Sequence, residues 1–277
     1  IVMLNHDWKL SDKIILNTNI GYQFGQIGNS RIDFNGGPNP SPIYYQNLPS
    51  FHFRNGNELE AYRVRERFLN DGQLDWHHIL DANITNASNG LPNAYVFYED
   101  RNDERMLSFN TILTTTLNQN ITINSKLEYR NSRIENFAEV IDLLGGNGYL
   151  DINPFAELPN QKQNNLLTPN RIVDVGDRFR YHYDFRSQLS SAFIQAQFTY
   201  RKIDFYSALS VSNTVYQREG HFQNGRFEDN SLGPSEKLNF IDFGLKSGAT
   251  YKITGRQLID FNASYLSQAP TLRNSFS

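Results

Sequence analysis

The residues of this chain that could bind a metal are few. His77 and His78 are of the type that most often ligates transition metals. Adjacent side chains point apart on a helix or a strand, however, so they seldom bind one ion together. The acidic residues in the range 99–104 could collect a cation, but a solvated charge cluster is the more frequent outcome. The run Asp151-Ile152-Asn153 begins like a calcium loop and lacks its glycine and its closing glutamate. We therefore predict no metal site and no cofactor.

Signatures of enzyme chemistry are also missing from the sequence. There is no cysteine among the 277 residues, which excludes disulfides, thiolate metal sites and cysteine catalysis. No G-x-S-x-G, Walker or H-E-x-x-H pattern occurs. The acids are scattered, so no pair for glycoside hydrolysis can be identified. We expect that the chain is not an enzyme and has no catalytic residue.

Aromatic and basic side chains are the better candidates for binding a ligand. Tyr44 and Tyr45 lie in a segment stiffened by prolines, and Trp76 follows in the same long connection. Exposed rings on rigid backbone can stack on sugar rings or apolar ligands at small entropic cost. The alternative is that these rings pack the connection against itself. Asn57 and Asp75 in this connection predict helix starts, because both residue types cap helices well.

Three arginines alternate along one later segment, where Arg178, Arg180 and Arg186 would share a strand face. Their guanidinium groups could hold an anionic ligand or a carboxylate of another segment. The sequence does not separate these two uses. The candidate ligand-binding residues are therefore Tyr44, Tyr45, Trp76, Arg178 and Arg180.

The elements that position these residues are β-strands, because apolar and polar residues alternate with a period of two. The clearest case is Ser191–Tyr216, a hairpin whose arms each reach the roughly 9–11 residues that cross a bilayer at a tilt. One face would meet lipid and the other would line a lumen. The polar set expected on the lumen side is Gln195, Gln197, Asp204, Ser210, Ser212, Asp260 and Asn262. A change of parity near Ser190-Ser191 predicts a β-bulge there.

Eight strands of this kind are predicted, joined alternately by short turns and long connections. The strands span about 1–10, 14–25, 105–117, 121–133, 178–199, 203–219, 237–253 and 257–267, and the long connections span 26–104, 134–177 and 220–236. Short turns on one side and long loops on the other are typical of outer-membrane barrels. The fold class is therefore all-β, an antiparallel up-and-down meander. Strand pattern continues to both ends of the chain, so we expect an excerpt of a larger barrel with open edges.

Composition agrees with this class without proving it. Only 39% of residues are hydrophobic, and 20 phenylalanines and 15 tyrosines stand out. A thin apolar band around a wet lumen would have such a composition, and so would a secreted β-rich binding protein. The net charge is −3 and no basic block occurs, so we expect no nucleic-acid partner.

Several segments resemble TonB-dependent receptors of the Bacteroidetes type. The segments that carry the resemblance are Phe68–Trp76, Tyr98–Arg101, Glu135–Asn153, Val175–Tyr181, Tyr216–Phe227, Tyr251–Arg256 and Ala269–Asn274. The subgroup it resembles has a carboxypeptidase-regulatory-like domain, then a plug inside a barrel of 22 strands. The resemblance covers nearly the whole chain, but the regulatory-like domain, the plug and the TonB box have no counterparts in it.

That resemblance implies a role in the outer membrane of a Gram-negative cell. The chain would be an open part of a 22-stranded transmembrane β-barrel that imports a scarce nutrient, such as a siderophore, glycan or peptide, by energy-coupled uptake. Its partners would be outer-membrane lipid, the extracellular nutrient and the TonB complex through a plug region outside this chain, with a surface lipoprotein as a further candidate. The alternative is a non-transporting β-barrel or a secreted β-rich binding or adhesive protein.

Overall fold

A computed structural model describes residues 1–276 and shows a tall antiparallel meander. Its strands are β1 (Val2–Ser11), β2 (Ile14–Phe34), β3 (Tyr95–Asn118), β4 (Ile121–Asp142), β5 (Tyr149–Leu150), β6 (Ile172–Val173), β7 (Arg178–Thr199), β8 (Ile203–Gly220), β9 (Gly233–Pro234), β10 (Leu238–Thr254) and β11 (Gln257–Leu266). Its helices are α1 (Pro49–Arg54), α2 (Glu58–Asn70), α3 (Trp76–Ser88) and α4 (Leu272–Ser275), with a 3₁₀ turn at Tyr45–Asn47. None of these helices is both long and apolar enough to cross a bilayer.

The eight long strands form one sheet in the order β1-β2-β3-β4-β7-β8-β10-β11, and β9 pairs only with β8. The sheet is open, because its ladder ends at β1 on one side and at β11 on the other within the described residues. The all-β antiparallel meander predicted from alternation is confirmed.

The two faces of the sheet differ in polarity along its lower part, which is the half nearest the short turns between strands. Leu209 pairs with Ile194 on one side and with Leu245 on the other. These side chains are 57%, 48% and 48% exposed, so they form part of an uncovered apolar band. We call this side of the sheet the band face and the opposite side the polar face. The register places all seven residues of the predicted polar set on the polar face: Gln195, Gln197, Asp204, Ser210, Ser212, Asp260 and Asn262.

Short turns and long loops lie at opposite edges of the sheet, as alternation of the connections requires. The pairs that border the short turns are Ile14 with Thr115, Ile121 with Phe198, and Ile203 with Tyr251. These pairs bring all four short turns to one edge. The long loops 35–94, 143–177 and 221–237 lie at the other edge, and we call them the first, second and third loops.

Three strands are longer than the sequence predicted. The predicted ends were residue 25 for β2, residue 105 for the start of β3 and residue 133 for β4, whereas these strands reach Phe34, Tyr95 and Asp142. Gly28 interrupts the alternation in β2, and the apolar residues of the range 137–144 have helix-like spacing, so the sequence predicted loop and helix in these segments. The ladder continues instead, and Gly28 pairs with Arg101 in it. A neighbouring ion pair, Arg101 with Asp103 at 3.1 Å, satisfies the charges on the band face above the apolar band. The first and second loops are shorter than predicted for the same reason.

The β-bulge predicted at Ser190-Ser191 is wrong, because both residues pair with β4 in unbroken register. The register shift lies higher, where Phe179 and His182 pair with consecutive residues of β4, and Arg180 between them has φ 62°. The change of parity in the sequence reflects a change of environment. Above the band, the aromatic side chains of β7 turn to the polar face and pack under the loops.

The buried core of the molecule lies under the long loops rather than along the sheet. One cluster joins the upper ends of β3, β4 and β7 to the second loop, through Val96, Tyr98, Ala138, Val140, Tyr149, Val173 and Phe179. A second cluster joins α3 to the start of β3, through Ile79, Ala94, Tyr95 and Leu144. The first and second loops are therefore fixed to the sheet by apolar packing, which holds their surface residues in defined positions.

Candidate ligand-binding cleft

Two capped helices give the first loop a defined shape. Asn57 Oδ1 accepts a hydrogen bond from the Glu60 N–H at 3.1 Å, which caps α2. Asp75 Oδ1 accepts one from the His78 N–H at 3.0 Å, which caps α3. Both caps satisfy amide groups that a helix start leaves without partners. The two helix starts predicted from Asn57 and Asp75 are confirmed.

Between these helices and the proline segment lies a cleft with a volume of about 800 Å³. Its wall consists of Pro38, Asn39, Pro40, Pro42, Asn47, Val64, Arg67, Phe68, Asp71, Gln73, Leu74, Asp75, Trp76, His77, His78 and Tyr95. This volume is in the range of pockets that hold small-molecule ligands. We call it the loop cleft.

The loop cleft is fixed to the sheet through its proline wall. The Tyr95 hydroxyl donates a hydrogen bond to the Pro38 carbonyl at 2.9 Å. Asn47 donates from Nδ2 to the carbonyls of Asn39 at 3.1 Å and Ser41 at 2.9 Å. Because Tyr95 is wholly buried at the start of β3, the wall is tied to the buried core of the molecule.

The lining of the loop cleft combines aromatic rings with charged groups. Trp76 is 45% exposed and Phe68 38% exposed, so both rings can contact a ligand. Arg67 and Asp71 add one charge of each sign. Stacking rings beside a few polar groups suit a ligand with a flat apolar surface and hydrogen-bonding substituents, such as a sugar or an aromatic chelator.

The predicted aromatic residues do not all reach this cleft. Trp76 lines it, whereas Tyr44 and Tyr45 are not part of its wall. The two tyrosine rings meet edge to face at 4.7 Å, and Tyr45 meets Phe51 in the same way at 5.6 Å. They pack the proline segment against α1, which is the alternative that the sequence left open.

Arg178 and Arg180 do not share a face, which corrects the prediction that they do. Arg178 lies on the band face, where its guanidinium contacts the Glu135 carboxylate at 2.5 Å and covers the Phe137 ring at 4.3 Å. Arg180 turns to the polar face because its positive φ, at the register shift between Phe179 and His182, interrupts the alternation of side chains along β7. The two arginines therefore serve different sites.

Arg180 is the centre of a polar layer beneath the second loop. Its guanidinium contacts the Asp33 carboxylate at 3.1 Å, and its backbone N–H donates to Asp151 Oδ1 at 2.9 Å. Burial raises the pKa of Asp151 above its ordinary value. Burial opposes the charge of Arg180, but the Asp33 carboxylate raises the pKa of its guanidinium overall. Arg180 is thus engaged with carboxylates of the chain itself.

Residues that sequence reasoning missed come mainly from two segments. Six residues close to Trp76 in the sequence complete the wall of the cleft: Phe68, Asp71, Gln73, Leu74, Asp75 and His77. Apart from the helix cap at Asp75 and the candidate Trp76, the sequence distinguishes the range 68–76 only by its resemblance to receptor loops. The prolines from Pro38 to Pro42 form the opposite wall, and their rigidity was the one signal that this segment could shape a site.

Comparisons with known proteins give one informative structural likeness. No protein-family model matches the chain, and no curated protein matches it. Among solved structures, it is similar to the ferric-catecholate import receptor Fiu from E. coli K12 in its open form, with a TM-score of 0.51 and 10% sequence identity. The alignment covers 97% of this chain and 35% of that receptor, so the chain spans about a third of the receptor's length. At this identity the likeness shows the fold alone, an all-β meander like part of a receptor barrel.

Proposed function

We propose that this chain is part of the barrel of a TonB-dependent receptor that takes up a scarce nutrient across the outer membrane of a Gram-negative cell. The observation that carries the proposal is the exposed apolar band on one face of the meander. Leu127, Leu209 and Leu245 on three different strands are 57%, 57% and 48% exposed. A contiguous apolar surface of this extent marks contact with lipid or another partner, and on tall alternating strands lipid is the better match.

The height of the sheet supports a receptor rather than a small barrel. β3 has 24 residues, which at about 3.3 Å per residue corresponds to roughly 80 Å. A bilayer core of about 30 Å needs only 9–11 tilted residues. The remaining upper parts of β3, β4 and β7 would stand outside the membrane and carry the loops. An eight-stranded closed barrel would pair β1 with β11, and the open ladder argues against that alternative.

In this proposal the chain contributes the wall, a lumen lining and an external ligand surface, and it performs no chemistry itself. The polar face would line the lumen beside a plug, through which the receptor would contact the TonB complex. The loop resemblance quoted above supports the Bacteroidetes subgroup. Receptors of that subgroup suggest a surface lipoprotein as a further partner.

The loop cleft is the proposed site of ligand capture. Its rings at Phe68 and Trp76 and its charges at Arg67 and Asp71 would recognise a siderophore, glycan or peptide of small size. The similar structure is that of a ferric-catecholate import receptor, and the aromatic rings of a catecholate would suit the rings of the cleft.

Energy-coupled uptake by whole cells tests the proposal. Cells with and without the gene are given a panel of labelled probes: a ferric catecholate, an oligosaccharide and an oligopeptide. We expect gene-dependent uptake of at least one probe, its loss on adding a protonophore, and recovery of the protein in the outer-membrane fraction. The proposal is refuted if the protein is absent from that fraction, or if no probe shows gene-dependent, energy-dependent uptake.

A matched pair of variants then tests the role of the loop cleft. Trp76→Ala removes a ring from the cleft wall, and Tyr62→Ala removes an exposed ring of α2 outside it. We expect Trp76→Ala to weaken uptake of the active probe at least tenfold at low concentration, and Tyr62→Ala to change it less than twofold. Equal effects would remove the cleft from the mechanism and leave the receptor assignment standing.

A further inference from the structure

A cluster of side chains that can ligate a metal lies on the band face, above the apolar band and away from the loop cleft. His182 and Asp184 stand two residues apart on β7, so both side chains project from the same face. His221 follows the end of β8 directly, and its backbone N–H donates to the His182 carbonyl at 2.9 Å. One possible ligand atom of each of the three residues lies within 4.8 Å of the other two.

Two buried polar atoms in this cluster lack hydrogen-bond partners among residues 1–276. Asp184 is wholly buried, and its Oδ1 has no partner. His221 Nε2 is also buried without a satisfactory hydrogen bond, although it lies 3.3 Å from Asp184 Oδ2. An unpartnered buried carboxylate oxygen is costly and calls for an explanation. A bound cation would satisfy both atoms at once.

Charged side chains already contact the ligands of the cluster. Glu135 Oε1 and Arg178 Nη1 lie 2.9 Å and 2.8 Å from His182 Nε2. In the tautomer whose Nε2–H donates to Glu135, the His182 Nδ1 lone pair is available to a metal, as in other carboxylate–histidine–metal arrangements. The Arg133 Nε donates a hydrogen bond to Asp184 Oδ2 at 2.8 Å, and the Arg133 side chain is 47% exposed. It can therefore swing into solvent when a cation takes its place.

We propose that His182, Asp184 and His221 form a binding site for a divalent transition metal of the Zn²⁺ class. Two imidazoles and one carboxylate suit Zn²⁺ better than Ca²⁺ or Mg²⁺, which prefer oxygen ligands. Because His221 opens the third loop and the other two ligands belong to β7, the ion would fix that loop to the outer surface of the sheet. The Phe222 ring, edge to face with His182 at 5.7 Å, would shield the ion from solvent on one side.

Zinc titration of the purified protein in detergent tests the site. After removal of metals with a chelator, ZnCl₂ is titrated by calorimetry into the unmodified protein and into His221→Ala and Asp184→Asn. The double variant His77→Ala/His78→Ala is the control, because these two histidines are exposed and belong to the loop cleft. We expect one zinc per chain, at least tenfold weaker binding in both site variants, and unchanged binding in the control.

Either of two results would overturn the proposal: no saturable zinc binding by the unmodified protein, or loss of binding only in the control variant. If a site variant fails to fold, the visible absorption spectrum of Co²⁺ added to the unmodified protein tests the site instead. Visible bands of a cobalt ion with nitrogen and oxygen ligands support the site, and a spectrum of hydrated Co²⁺ refutes it. Neither measurement depends on uptake, so the site can fail while the receptor proposal holds.

Discussion

One side-chain amide, that of Asn83, binds both backbone groups of Tyr95. Asn83 Oδ1 accepts from the Tyr95 N–H at 3.0 Å, and Asn83 Nδ2 donates to the Tyr95 carbonyl at 2.9 Å. The same amide contacts the N–H of Ala94 and the carbonyls of Leu143 and Leu144. Asn83 is wholly buried on α3. It therefore substitutes for a strand partner and joins the first loop, β3 and the second loop.

Replacing Asn83 with alanine should destabilise this junction strongly. The substitution leaves several buried backbone groups without partners, and each such loss costs about 1–3 kcal/mol. We expect proteolysis within the first loop to become at least tenfold faster. Asn89→Ala, at the exposed end of the same helix, is the control and should change the rate less than twofold. Similar rates in both variants would show that the amide contributes little.

Buried Tyr149 and half-buried Tyr181 should respond differently to loss of the hydroxyl. The Tyr181 hydroxyl donates to Asp100 Oδ1 at 2.8 Å, whereas the Tyr149 hydroxyl lies near the Asp33 carboxylate but forms no hydrogen bond of regular geometry with the described residues. Burial raises the pKa of both tyrosines, so both hydroxyls stay protonated at neutral pH. We expect Tyr181→Phe to lower the free energy of unfolding by about 1.5–3 kcal/mol, as for hydrogen bonds to charged groups. Tyr149→Phe should change it by less than about 0.5 kcal/mol. Urea unfolding measures both, and a larger loss for Tyr149→Phe contradicts the assignment.

A charge on the band face should oppose membrane insertion, and one on the polar face should not. Leu209 lies in the middle of the apolar band, and Gln195 on the neighbouring strand has nearly the same height. In the proposed barrel, Leu209→Lys would place an ammonium group in lipid, at a cost of about 2–4 kcal/mol near the bilayer centre. Gln195→Lys would place the same group in the proposed lumen. Unfolding in lipid vesicles should show this difference, and equal stabilities would contradict lipid contact at Leu209.

Gly225 sits where the third loop touches the second. Its N–H donates to the Gln163 carbonyl at 2.9 Å, and a Cβ atom at this position would lie 1.8 Å from the Asn160 carbonyl oxygen. Gly225→Ala must therefore push the two loops apart, since backbone atoms cannot yield as a flexible side chain can. We expect a lower thermal unfolding midpoint and faster proteolysis of both loops. Gly25→Ala is the control, because a Cβ atom there meets nothing within 4 Å.

Local sequence patterns were sufficient for the strands of the lower sheet and for its faces. Alternation predicted that Gln195 and Asp204 share the polar face, and the register confirms it. A period of two is a property of the backbone itself and needs no knowledge of distant contacts. Capping residues such as Asn57 and Asp75 acted at equally short range, and they predicted where two helices begin. Turn residues likewise placed the short connections.

Only the tertiary structure decided what happens above the apolar band. There a residue's partner comes from another strand or loop, as when Arg180 contacts Asp33 or His182 meets His221. Glycine and charged residues that are typical of loops pair with the neighbouring strands, so β2, β3 and β4 extend beyond their predicted ends. The same long-range pairing put Arg178 and Arg180 on opposite faces and brought Trp76 to a proline wall. Sequence spacing does not encode such contacts, because they depend on the register between strands and on how the loops fold back onto the sheet.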